Sequence, residues 1–201
     1  MKRLLLAVIF ASTSLLTHAG DRRLETLLLL PEPKFMSNPL SFSPDGAELT
    51  VFSPAHEILD EPGIVIYSAE DFKKLGLSVE TFAERAKKAA NKRLLTLKPD
   101  LIKNAEGQVQ YAVYRSEEPT MASLLVATSL TDTFEKLFGP EIWVALPDRH
   151  SLFVFPAKPE ALAEFADDLA ERFQSDPRAA SPEIFEIKKG VAPKVVGSFI
   201  K

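Results

Sequence analysis

The 201-residue sequence contains no cysteine. Disulfides, thiolate metal sites, a thiol nucleophile and lipid attachment to an N-terminal cysteine are therefore excluded. Only 3 histidines are present, which leaves few candidates for acid–base or zinc chemistry. The remaining composition, 46% hydrophobic and 26% charged, is that of an ordinary folded protein rather than a disordered or polytopic membrane protein.

The signature motifs of several enzyme classes are also missing. The sequence has no His-Glu-x-x-His, no Gly-x-x-x-x-Gly-Lys-Ser/Thr loop, no Gly-x-Gly-x-x-Gly and no Gly-x-Ser-x-Gly. These absences argue against zinc hydrolases, nucleotide-binding proteins and α/β-hydrolases. From the sequence we expect no cofactor, no metal site and no assembled catalytic set.

The longest apolar run lies at the start of the chain. Basic residues at positions 2 and 3 precede the apolar stretch Leu4–Phe10, and Thr17-His18-Ala19 follows as a small-residue cleavage site. We predict that residues 1–19 are a cleaved signal peptide. The alternative is an uncleaved anchor, but the run ends at Ala11, short of the ~20 residues needed to span a bilayer.

Cleavage would make the protein exported, periplasmic or secreted, and most consistent with a bacterial source. It would take Lys+Arg from 24 to 22 against 28 acidic residues, which gives a net charge of −6. An acidic chain without clustered Lys/Arg does not favour nucleic acid as a partner. It also gives no reason to expect stable membrane insertion after cleavage.

The predicted mature chain divides into two parts. Residues 20–62 form a Pro-rich N-terminal segment with a short hairpin, in which a Pro44-Asp45-Gly46 turn joins Ser41–Ser43 to Glu48–Phe52. Residues 63–201 form an α+β domain. The predicted 182 residues can bury one hydrophobic core without a metal or a disulfide.

Within the second part, helical periodicity and caps predict a helix N-capped by Ser78, a helix over Thr120–Phe138 and a helix opened by Pro159. Apolar runs such as Leu94–Leu97 and Ile142–Leu146 predict strands. The order helix, strand, strand recurs at about 79–115, 120–155 and 159–200, as a structural repeat or as the ordinary rhythm of an α+β domain. We expect an antiparallel sheet with helices packed on one face.

Three stretches carry a resemblance to a known family. They are Leu75–Arg93, then Met121–Leu125 with Phe134–Gly139, then Ile142–Leu152. Over roughly residues 63–201 the chain resembles the C-terminal half of the YtpQ-like family of uncharacterised bacterial proteins. It departs from that family in its predicted signal peptide and short Pro-rich N-terminal part. The resemblance implies a fold-level grouping and brings no reaction and no functional residues.

Asp148-Arg149-His150 is the cluster in the sequence with the most groups able to take part in catalysis or binding. It places a carboxylate, a guanidinium and an imidazole on a predicted turn between two apolar strands. In a functional role, Arg149 would hold an anionic group and His150 would carry a proton. The favoured alternative is a solvated hairpin turn in which Asp148 suits the turn geometry and Arg149 pairs with a neighbour.

A second candidate is His56, followed by Glu57, Asp60 and Glu61. Such a set resembles a loose divalent-cation site, but it lacks the alternating ligand spacing and central glycine of a calcium loop. A solvated acidic loop is the favoured interpretation.

The sequence therefore favours an exported, non-catalytic binding or interaction module of the cell envelope, whose partner is a protein or a small ligand. The alternative is a hydrolase that uses carboxylates or the Asp148-Arg149-His150 turn. Spacing alone leaves this alternative open, because catalytic groups are often distant along the chain.

Overall fold

The structure is a computed structural model that describes residues 26–200. The predicted signal peptide at residues 1–19 lies outside the described residues. In the described part, no helix has the length and apolar character needed to cross a membrane.

The described strands form two antiparallel sheets, a three-stranded sheet of order β1-β2-β3 and a six-stranded sheet of order β4-β5-β7-β6-β8-β9. The α+β class with antiparallel pairing, predicted from the sequence, is confirmed. The strands are β1 (Leu27–Pro33), β2 (Thr50–Glu57), β3 (Ile64–Ile66), β4 (Asp100–Lys103), β5 (Val109–Arg115), β6 (Glu141–Ala145), β7 (Ser151–Pro156), β8 (Glu183–Lys188) and β9 (Lys194–Ser198).

Local sequence signals account for several helix boundaries. The Ser78 hydroxyl caps its helix by accepting from the Thr81 backbone N–H, and Gly76, which separates this helix from the preceding one, has a φ of 63°. The α-helices are α1 (Ala69–Lys74), α2 (Val79–Leu94), α3 (Leu130–Phe138), α4 (Pro159–Ala163) and α5 (Ala166–Ser175), and short 3₁₀ helices cover Lys34–Met36 and Met121–Val126.

The Pro-rich segment supplies the two longer strands of the small sheet. Strand β1 is buried along its whole length and pairs with β2, while the predicted hairpin is reduced to one bridge between Phe42 and Phe52. Its turn is present, since the Ala47 N–H donates to the Pro44 carbonyl. Strand β2 also pairs with β3, and residues on both sides of Pro62 therefore belong to one sheet.

Helices cover both faces of the six-stranded sheet, rather than the single face expected from the sequence. Ile142 and Val144 of β6 share a core with α2 and α3, whereas Ala145 of β6 and Phe153 of β7 share a second core with α4 and α5. Because neighbouring strand residues point to opposite faces, a strand that is apolar at every position must be covered on both sides. Residues 152–155 of β7 form such an unbroken apolar run, and all four are buried.

The helix, strand, strand order recurs as predicted, as α2-β4-β5, α3-β6-β7 and α4-α5-β8-β9. The three hairpins lie side by side in the sheet. The helices of the first two units pack on one face and those of the third unit on the other. The units therefore share an element order without sharing one arrangement.

Polar contacts attach the Pro-rich segment to the third unit. The buried Glu183 carboxylate accepts from the backbone N–H groups of Glu48 at 2.8 Å and Leu49 at 3.1 Å. Gly46 has a φ of 73°, and a Cβ at this position would lie 2.8 Å from the Val195 carbonyl oxygen. The close approach requires glycine here, which explains the Pro-Asp-Gly turn in physical terms.

Candidate functional site

The turn between β6 and β7 holds the three residues that the sequence singled out. Asp148 is buried, and its carboxylate accepts from the backbone N–H of His150 at 2.8 Å and from the Ser151 hydroxyl at 2.7 Å. Both oxygens therefore serve the turn itself. The structure replaces the expected solvated turn with one whose carboxylate is enclosed by protein.

Arg149 forms an ion pair with Glu32 of β1, which lies 117 residues earlier in the sequence. The distance from Arg149 Nη2 to Glu32 Oε1 is 2.6 Å, and the side chains are 11% and 0% exposed. Burial raises the pKa of Glu32, although the Ser53 hydroxyl and the Arg149 charge oppose that rise. Burial likewise lowers the pKa of Arg149. The pair joins the two sheets through a desolvated contact.

His150 uses both ring nitrogens within the protein. Arginine has no acceptor, so Arg178 Nη1 donates to Nε2 at 3.1 Å, and Nδ1 then carries the proton and donates to the Ser116 carbonyl at 3.2 Å. The geometry assigns the neutral Nδ1–H tautomer. Because the Ser151 hydroxyl bonds to Asp148, the turn does not form a serine–histidine–aspartate relay.

The same turn is also bonded through its backbone. The Arg149 N–H donates to the Arg178 carbonyl, and the Arg149 carbonyl accepts from the Met121 N–H. The turn thus connects β1, the 3₁₀ helix Met121–Val126 and the loop before β8. Its polar groups are committed to holding the fold, and they line neither of the two cavities described next.

A groove of about 480 Å³ lies beside the end of β2 and the helices α1 and α2. Polar side chains of Thr26, His56, Glu57, Asp60 and Arg85 surround it. Its apolar lining, which defines the apolar groove, comprises Leu27, Ile58, Leu59, Tyr67, Leu75 and Leu77.

A second cavity of about 380 Å³ adjoins the apolar groove and shares the wall formed by residues 57–60. Four acidic residues line this cavity, which we call the acidic cavity: Glu57, Asp60, Glu61 and Glu118. Glu118 comes from the loop after β5, whereas the others belong to β2 and the loop that follows it. The tertiary structure therefore adds a distant carboxylate to the acidic loop noted in the sequence.

Glu57 lies on the wall between the groove and the cavity and pairs with Arg93 of α2. The distance from Arg93 Nη2 to Glu57 Oε1 is 2.6 Å, and both side chains are largely buried. Burial raises the pKa of Glu57, the Arg93 charge opposes the rise, and Glu118 adds to it by repulsion. The pair anchors the end of β2 to α2 beneath the groove.

This geometry predicts a pH-dependent contribution of Glu57 to stability. A folded-state pKa above the ordinary 4.5 means that Glu57 contributes stability below pH 4.5, and that this contribution is lost as the pH rises through the folded-state pKa. The free energy of unfolding of the wild type minus that of Glu57→Gln should therefore fall with rising pH and then level off. Urea unfolding across this pH range measures the difference, and a difference that rises with pH would contradict the prediction.

The structure does not place a set of metal ligands around His56, as the divalent-cation hypothesis would require of the described residues. His56 Nδ1 donates to the Glu57 carbonyl at 2.9 Å, and the ring packs on Tyr67 with a centroid distance of 4.9 Å. Among residues 26–200 no three His, Cys, Asp or Glu side chains are grouped so that they could hold a metal ion.

No family model, no curated protein and no solved structure matches this chain. The resemblance to the YtpQ-like family stays a prediction. The geometry separates two places: a structural turn at residues 148–150, buried at Asp148 and partly buried at Arg149 and His150, and an open groove beside residues 56–60.

Sequence reasoning found the acidic loop but missed the groove. Four of its residues come from later in the chain: Tyr67 directly follows β3, Leu75 directly follows α1, Leu77 lies in the link before α2, and Arg85 lies in α2. Leu77 directly precedes the Ser78 cap, a position that by itself indicates only a contact with the first turn of the helix. The one sequence signal available was the apolar pair Ile58-Leu59, which lies between Glu57 and Asp60 in a loop that polar residues would be expected to fill.

Proposed function

We propose that the protein is an exported, non-catalytic binding module of the cell envelope that holds an apolar part of its ligand in the apolar groove. The observation that carries the proposal is the exposure of aliphatic side chains within a concave site. Leu59 is 63% exposed and Leu75 is 36% exposed, and both line the groove. Concave surfaces with an apolar lining and a few polar groups are the usual form of a ligand site.

A binding role also agrees with the chemistry of the surrounding groups. His56 contacts its own strand and Tyr67, and Glu57 is neutralised by Arg93. These partners fix the side chains as parts of the wall. The proposed export rests on the N-terminal sequence, and the acidic net charge supports a partner other than nucleic acid.

The test uses the neutral, environment-sensitive dye Nile red as a probe of the groove. We expect the dye fluorescence to increase when the protein is added. Leu59→Asp should weaken dye binding by about tenfold, because losing the apolar contact with one leucine costs about 1.4 kcal/mol or more. Leu95→Asp is the matched control, because Leu95 is 81% exposed and does not line the groove.

Both variants alter exposed positions, and equal melting temperatures would confirm that each is folded. The proposal fails if the dye does not bind, or if the two variants weaken binding equally.

A further inference from the structure

The acidic cavity has carboxylates that the protein itself does not neutralise. Glu57 is matched by Arg93, whereas Asp60 and Glu61 form no ion pair with any residue in the described range 26–200. Glu118 lies close enough to Glu57 to raise its pKa by repulsion. The cavity is thus a region of negative potential that a basic group of a ligand would relieve.

The apolar groove and the acidic cavity adjoin each other and share residues 57–60 as lining. Leu59 lines both, and Asp60 follows it in the loop. A ligand that covers Leu59 therefore has an apolar part in the groove and an adjoining part at the carboxylates. The complementary chemistry is a basic group next to an aliphatic one.

The sheet beside these cavities favours a peptide as the source of that chemistry. Strand β3 lies between Gly63, which lines the acidic cavity, and Tyr67, which lines the apolar groove. Within the described part of the chain, β3 pairs with β2 on one side and with no strand on the other. An open strand edge offers backbone donors and acceptors to an extended peptide.

We propose, resting on the proposed function, that the ligand is an extended peptide segment in which basic residues adjoin aliphatic ones. The basic side chains lie at Asp60 and Glu61, and the aliphatic side chains lie in the apolar groove. Arg85 also lines the groove, so the preference for a basic group belongs to the acidic cavity and not to the groove as a whole.

The test compares three peptides with blocked ends by isothermal titration calorimetry: Arg-Arg-Leu-Val-Leu, Gln-Gln-Leu-Val-Leu and Glu-Glu-Leu-Val-Leu. We expect the arginine peptide to bind about tenfold more tightly than the glutamine peptide, the size of effect that one or two charge-assisted contacts give. The difference should shrink between about 50 mM and about 500 mM salt, because exposed charges are screened.

A pair of matched variants locates the effect. Asp60→Asn with Glu61→Gln should abolish the preference for the arginine peptide. Asp167→Asn with Asp168→Asn removes the same charge from exposed positions on α5, which packs on the far face of the six-stranded sheet, and should leave the preference intact. The arginine peptide should also displace Nile red, which would place it in the groove.

The outcomes separate this inference from the proposed function. Equal binding of the arginine and glutamine peptides, or dye binding without peptide binding, overturns the peptide inference and leaves the groove function standing. Tightest binding of the glutamate peptide, lost in Arg85→Gln, also overturns it. Absence of both dye and peptide binding overturns the inference together with the proposed function.

Discussion

Replacing Glu32 by leucine should lower the free energy of unfolding by about 3–5 kcal/mol at neutral pH, because the largely buried Arg149 guanidinium then loses the carboxylate with which it forms its ion pair. Glu32 has no exposed surface, and its Oε1 lies 2.6 Å from Arg149 Nη2. Arg149 Nε already lacks a hydrogen-bond partner among the described residues, and the Asp176 charge acts on the guanidinium less strongly than the Glu32 charge does. Urea unfolding followed by circular dichroism measures the loss.

Substitution of the other partner, Arg149→Met, should lower the free energy of unfolding by less at acidic pH and by more as the pH rises. A buried carboxyl can take up a proton, whereas arginine keeps its charge. Burial already raises the pKa of Glu32 above its ordinary 4.5, so its neutral form is the better tolerated one in the fold. The stability that Glu32 contributes below pH 4.5 is lost as the pH rises through its folded-state pKa. Without the Arg149 charge, which opposes the rise in that pKa, the loss becomes larger.

The double variant Glu32→Leu with Arg149→Met should recover most of the stability lost in either single variant. An apolar pair of similar volume needs no desolvated charges, and such exchanges are often neutral or stabilising. A double-mutant cycle separates this coupling from the cost of each change alone. Additive losses would show that the two side chains act independently, contrary to the 2.6 Å contact.

Leu169→Ala should destabilise the protein by about 2–5 kcal/mol, the range for truncation of a buried leucine. Leu169 of α5 is buried in the core on the second face of the six-stranded sheet, together with Phe153 and Phe155. Chemical unfolding provides the measurement.

The control for this substitution is Leu95→Ala, at a leucine that is 81% exposed. It should change stability by no more than about 0.5 kcal/mol, as is usual for surface positions. If the two substitutions cost the same, α5 does not cover an apolar sheet face, and the two-faced arrangement is wrong.

Helices were predictable where caps and periodicity agreed. Ser78 opens α2 as expected, and Gly139 ends α3. The helix predicted over Thr120–Phe138 is instead a 3₁₀ helix at Met121–Val126 followed by α3. All residues of Met121–Val126 are buried, so this segment has no polar face to mark a helical period.

The strand predicted at Leu94–Leu97 was also wrong. Helix α2 continues through Leu94, and β4 begins at Asp100. A short apolar run does not distinguish a strand from the last turn of a helix, because both can bury the same side chains. The strand that pairs with β5 on the side away from β7 is β4, which is mostly exposed and has little apolar pattern.

The candidate site was predictable only in part. The acidic loop after His56 was visible as a charge pattern, but its partner Glu118 and the wall residue Tyr67 are brought to it by the fold. Asp148, Arg149 and His150 were visible as a cluster. The burial of Asp148 and of most of the Arg149 side chain was not, since a polar turn looks the same in sequence whether solvent or another strand covers it.

The sequence by itself determined the α+β class, the absence of thiol chemistry and the positions of the capped helices, because each depends on composition or on contacts within a few residues. Only the tertiary structure decided that Arg149 meets Glu32, that Glu57 meets Arg93 and that both sheet faces are covered. Those outcomes depend on which apolar surfaces pack together. Packing brings Glu57 and Arg93, 36 positions apart, and Glu32 and Arg149, 117 positions apart, into contact. Local sequence patterns cannot predict such pairings, because they depend only on residues a few positions apart.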